Sequence, residues 1–166
     1  MRFTLAAMGA VATSLLNLTI TPFLRIGGAQ PDFVLLCAVV WTVAVGFEGG
    51  LIWAFIGGLM IDLLSPRPLG LTSFTLLLCV GGAAVVARLS LRLRYVIPVV
   101  AVVLFSVVNA LLFLMVYGAL RAPIPVPDPL AAIVPAAFYN GILAAIVGPL
   151  TVAAMSRREN RERPDW

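Results

Sequence analysis

Apolar residues fill long unbroken runs along this 166-residue chain, and polar or turn-forming residues gather in short clusters between them. A membrane-crossing helix needs about 20 apolar residues, within a range of roughly 17–25. By that measure the pattern predicts six helical spans, over residues 3–24, 31–45, 48–64, 69–87, 96–120 and 130–155. The breaks are Arg25 with Gly27 and Gly28, the "GFEGG" turn, "SPRP", the basic "RLSLRLR" loop and the proline-stiffened "RAPIPVPDP" connector. Residues 156–166 form a polar, basic tail with the composition of a disordered segment. The second and third runs are short for a full crossing, so two short helices or a re-entrant hairpin both fit them. Either arrangement returns the chain to the side on which it started.

Composition turns this pattern into a class. Hydrophobic residues make up 62% of the chain and charged residues only 11%, against roughly a quarter in soluble domains. The protein is therefore read as an all-α integral membrane protein. The opening run is followed at once by further spans, so it is read as a first span and not as a cleaved signal. Arginines set the expected orientation. Arg2, Arg88, Arg92, Arg94, Arg157, Arg158, Arg161 and Arg163 fall on one side of a six-span arrangement, and Arg25, Arg67 and Arg121 on the other. This predicts both termini in the cytoplasm.

Candidate chemistry is sparse. Histidine is absent, which removes the commonest general base and metal ligand. Cys37 and Cys79 lie in apolar runs and read as small buried hydrophobes. No nucleophile motif, metal-ligand spacing or phosphate-binding glycine loop occurs, so no catalytic, cofactor or metal residue is assigned. The basic loop and tail follow the positive-inside pattern and suit membrane lipids, not nucleic acid.

The informative stretch is "GGLMIDLLSPRPLG", residues 57–70. A carboxylate at hydrocarbon depth costs about 2.5–3.5 kcal/mol on insertion scales. Gly50, Ala54, Gly58 and Asp62 recur every fourth residue, with Gly57 beside them, and small residues at that spacing let a second helix approach closely. Asp62 thus sits at the edge of a packing face. Either Arg67 or the N-terminal amides of the fourth helix would satisfy it, making it a clasp for the turn. A proton or substrate site and a partner contact are the alternatives. Asp32 opens the second run, where it meets the positive end of the helix dipole. Glu48 reads as a solvated turn residue. Asn17, Asn109, Tyr139 and Asn140 read as hydrogen-bonding glue between helices, the last three as one cluster. Pro135 and Pro149 are expected to kink the last helix.

The stretch "PDFVLLCAVVWTVAVGFEGGLIWAFIGGLMIDLLSPRPLGLTSF" resembles the middle of the MreD family, the rod-shape-determining membrane proteins of bacteria. Gly50, Gly57, Gly58, Asp62, Leu63, Ser65, Pro68, Leu69 and Gly70 carry the resemblance, and Asn140, Pro149 and Leu150 extend it to the last helix. Pro66 and Arg67 depart from the family's smaller residues, so an Asp62–Arg67 pair would be a local feature. The resemblance implies a non-enzymatic component of the peptidoglycan-elongation machinery in the cytoplasmic membrane. Its implied partners are MreC first, then RodA, a class B penicillin-binding protein and MreB. It also implies a fold similar to the six-helix S-components of energy-coupling-factor transporters. A substrate-binding subunit of such a vitamin transporter is the alternative; Ala6 and Ala10 form a small-xxx-small pair of the kind such subunits use for docking.

Overall fold

The computed structural model describes residues 2–24, 30–66, 68–89, 96–120 and 129–161. Those residues form six α-helices: α1 (Arg2–Ile20), α2 (Phe33–Ala44), α3 (Phe47–Leu64), α4 (Leu71–Leu89), α5 (Ile97–Ala119) and α6 (Pro129–Arg161). A 3₁₀ turn, Thr21–Leu24, extends α1. All but α2 are long and apolar enough to cross a membrane. At 1.5 Å per residue, the 12 residues of α2 reach only about 18 Å, against a hydrocarbon core of about 30 Å. Of the two runs that looked short, α3 has the length to cross with its 18 residues.

This shortest helix is the centre of the molecule. α2 packs against each of the other five helices, which follow one another around it in the order α1, α3, α4, α5, α6. Val34, Leu35, Leu36, Ala38, Val39 and Val40 of α2 are buried in the core. A helix that is apolar all round is stable only where apolar material surrounds it. Among the described residues the surrounding ring is least closed between α1 and α6, which make no extensive contact with each other. Phe33, Cys37, Trp41 and Ala44 stand at helical spacing on α2 and are only half-buried. Of these, Trp41 packs against Trp53 and Gly49 of α3.

The outer helices divide their surfaces in a way that suits lipid. On α1 the buried positions are Ala6, Ala10 and Ser14, one every fourth residue, while Phe3, Met8, Leu15 and Ile20 are exposed. Small residues face protein and large apolar residues face outward, as membrane helix packing favours. Close contact recurs where α4 meets α5, with Gly82 against the Phe105 ring, and where α5 meets α6, with Gly141 against Val103.

Two features differ from the sequence-based expectation. The "GFEGG" turn is expected to overlap the start of the 48–64 span, but the turn is confined to Val45 and Gly46, and α3 already begins at Phe47. Gly46, at φ 140°, makes the reversal in a conformation that side-chain-bearing residues rarely adopt. Glu48 then falls in the first turn of α3, where an acid favours helix continuation. The tail expected to be disordered from residue 156 is helical to Arg161; its arginines and glutamate are good helix formers. α6 carries Pro135 and Pro149 inside a continuous helix.

Candidate functional site

Two polar constructions lie within the helical bundle. The first joins α3 to α4. Asp62 is 2% exposed, and its carboxylate accepts from Thr72 N at 3.0 and 3.2 Å and from Ser73 N at 3.5 Å. These are the second and third residues of α4, where a helix has amides without intrahelical partners. The residue preceding α4 is Gly70, which has no side chain to cap them. Asp62 therefore acts as an N-cap supplied by another helix, and its charge meets the positive end of the α4 dipole.

The neighbouring sequence makes that reach possible. Gly70 has φ 85°, a left-handed conformation suited to glycine. Leu71 N donates to Pro68 O at 3.3 Å and Phe74 N to Gly70 O at 2.9 Å, so the "PLG" segment turns α4's first amides onto the carboxylate. One turn earlier on α3, Gly58 lies against the backbone of Ser73. Ser73 Oγ donates to Phe55 O at 3.3 Å. Gly58, Asp62, Pro68, Gly70 and Ser73 thus form one joint. Arg67, the other partner foreseen for Asp62, lies outside the described residues.

The rest of the small-residue stripe also meets protein. Gly50 sits against Thr42 of α2, and Gly57 against Val34 of α2 and Ser14 of α1. Ala54 between them is fully buried. Ser14 Oγ lies 3.1 Å from Gly57 O and 2.7 Å from Ala10 O, its one proton serving both carbonyls.

The second construction holds the start of α2. Asp32 is its N-cap, as its position in the sequence suggests, with Oδ1 accepting from Leu35 N at 3.1 Å. The two preceding amides are satisfied from outside the helix. Asp32 N donates to Asn140 Oδ1 of α6 at 2.9 Å, and Phe33 N donates to Asn17 Oδ1 of α1 at 3.1 Å. Asn140 Nδ2 in turn donates to Ser106 Oγ of α5 at 3.0 Å, and Thr21 Oγ1 donates to Asn17 at 3.0 Å. α2 is too short to carry its N-terminus to water at the membrane surface, so these side chains take water's place.

The asparagine cluster foreseen on α5 and α6 does not form. Asn140 turns to Ser106 and the α2 backbone, and the buried Oδ1 of Asn109 has no partner. No hydrogen bond joins Asn109, Tyr139 and Asn140, because the α2 terminus offers Asn140 an amide that needs an acceptor. Pro149 is half-buried in α6, next to Gly148, whose Cα faces the Pro98 ring of α5. Sequence reading passed over Ser14, Ser73 and Ser106. Serine is common in membrane helices, and only the facing helix shows what a hydroxyl bonds.

A model of the family described as rod shape-determining protein MreD matches residues 1–156. The chain belongs to the MreD family. It is therefore a multi-pass inner-membrane protein of the rod complex, concerned with cell shape, and its family is a structural one and not a known enzyme family. Comparison with curated proteins and with solved structures gave no match. The vitamin-transporter alternative gives way to MreD-family membership, and the joint at Asp62 stands in the MreD-like stretch from which the sequence resemblance was drawn.

Proposed function

We propose that the protein is a non-catalytic scaffold of the rod complex that supports peptidoglycan synthesis by holding MreC, with RodA, a class B penicillin-binding protein and MreB as further members of the assembly. The observation that carries the scaffold reading is the use made of Asp32 and Asp62. Asp32 and Asp62 each direct their oxygens to the N-terminal amides of a helix, which is a structural assignment. The opening between α1 and α6 suggests where a partner helix would lie, since the start of α2 is held by Asn17 of α1 and Asn140 of α6 and Phe33 there is only half-buried. The arginine distribution supports a six-span arrangement with both termini in the cytoplasm.

Affinity purification in mild detergent tests the assembly, with MreC expected to co-elute. A photo-crosslinking residue at Phe33, where α2 starts beside α1 and α6, is expected to capture MreC, whereas one at Phe74 on α4 is not. Absence of MreC from the eluate refutes the scaffold reading. Co-elution with capture only at Phe74 keeps the assembly and moves the contact surface.

A further inference from the structure

A cleft of about 550 Å³ opens at the end of the bundle where the α2–α3 turn lies, lined by Phe3, Trp41, Val45, Gly46–Gly49 and Arg88. That volume falls within the range of roughly 300–1,000 Å³ typical of small-molecule sites. Its depth in the membrane follows from the spans. One apolar span starts at Phe3, another starts at Phe47 and a third ends at Arg88, so the cleft lies at a boundary between hydrocarbon and water.

The lining combines three chemistries. Phe3, Trp41 and Phe47 supply aromatic surface, and Phe3 and Phe47 remain 53% and 41% exposed. Aromatic rings at this depth favour the headgroup region. Glu48 contributes a carboxylate from the first turn of α3, and Arg88 a guanidinium from the last turn of α4. Both side chains are exposed, and neither is engaged in an ion pair among the described residues. Among the described residues, one anion and one cation therefore line the same cavity without pairing with each other.

We propose that this cleft binds the headgroup of a phospholipid carrying both a primary ammonium and a phosphate, as in phosphatidylethanolamine. Arg88 meets the phosphate, for which a guanidinium is the best-matched side chain. Glu48 accepts from the ammonium, whose N–H donors distinguish it from a trimethylated choline. The aromatic rings cover the glycerol region, and the acyl chains leave into the bilayer past Phe3 and Phe47. A purely anionic headgroup fits less well, because it leaves Glu48 facing negative charge. Both charges being on the rim, removing either one does not disturb the buried core.

The test uses the full chain in detergent, titrated with phosphatidylethanolamine, phosphatidylcholine, phosphatidylglycerol and soluble glycerophosphoethanolamine, with bound lipid counted by native mass spectrometry. Phosphatidylethanolamine is expected to bind on the order of tenfold more tightly than the other two lipids, the size of one charge-assisted hydrogen bond. Glu48→Gln should erase that preference and leave phosphatidylglycerol binding intact or improved. Arg88→Gln should weaken all three. Competition by the soluble headgroup supports the assigned contacts. Equal binding of the three lipids, or a preference for phosphatidylglycerol that Glu48→Gln leaves unchanged, overturns the proposal. So does a preference for phosphatidylethanolamine that persists in both variants.

Discussion

Gly58→Ala is the sharpest probe of the α3–α4 joint. A Cβ at this position would stand 2.5 Å from Ser73 Cα and 2.6 Å from Ser73 N. Both neighbours are backbone, so no side chain can swing aside. Restoring ordinary contact requires the two helices to separate by about 0.8–0.9 Å, because packed interiors have no slack at that scale. The same movement lengthens the Asp62–Thr72 amide contacts, now 3.0 and 3.2 Å, to about 4 Å, beyond hydrogen-bonding range. Overpacking costs about 1–3 kcal/mol, and losing a charge-assisted bond about 1.5–3 kcal/mol. Alanine's better helix propensity returns about 1 kcal/mol. The net expectation is a loss of about 1.5–5 kcal/mol, equivalent to a melting shift of about 3–20 °C for a chain of this size. Gly81→Ala is the matched control, since nothing lies within 4 Å of its added Cβ; it should be neutral or slightly stabilising. The assay is a fluorescence melt in mild detergent, run on both variants. Equal melting shifts for Gly58→Ala and Gly81→Ala would show that the helices do not touch here and that Asp62 is not held by this approach.

Other outcomes follow from the same geometry. Asp62→Asn keeps one acceptor for the α4 amides and should lose about 1 kcal/mol, whereas Asp62→Ala leaves those amides buried and should lose about 2–3 kcal/mol. In complementation of a shape-defective strain, Asp62→Asn should retain shape-supporting activity; an inactive variant with an unshifted melt and intact assembly points instead to a proton or ligand role. Asn140→Leu removes the acceptor for Asp32 N and the donor to Ser106, with an expected loss of about 1–3 kcal/mol. A double-mutant cycle with Ser106→Ala should be non-additive by at least about 0.5 kcal/mol, and strict additivity in detergent melts would deny the bond. Reporter fusions after Asp128 should read as external and those after Arg158 as cytoplasmic; an external C-terminus contradicts the arginine-based orientation.

Much of this was legible along the chain because lipid imposes simple demands. Length and hydropathy mark the helices, since a backbone in hydrocarbon must satisfy its own hydrogen bonds. Glycine and alanine every fourth residue on α3 mark a close-packed face, and an isolated Asp62 at its edge marks a polar joint. Asp32 before an apolar run marks a cap. What one sequence could not rank is which helix lies in the centre. In a soluble protein, an all-apolar helix announces burial, but lipid-facing and protein-facing helices share that composition. α2 differs from its neighbours chiefly by being short, and only its packing against all five others shows why it can be short. The partners of Asn140 were hidden for the same reason. The amides it and Asn17 satisfy lie at residues 32 and 33, and an amide's need for an acceptor depends on where its helix ends in three dimensions. Between the two acceptable partners of Asp62, a nearby arginine and a helix terminus, sequence distance favoured neither. The α4 amides meet it because Gly58 brings the two helices together and Gly70 turns the chain, two backbone effects that acquire their meaning only when the helices pack.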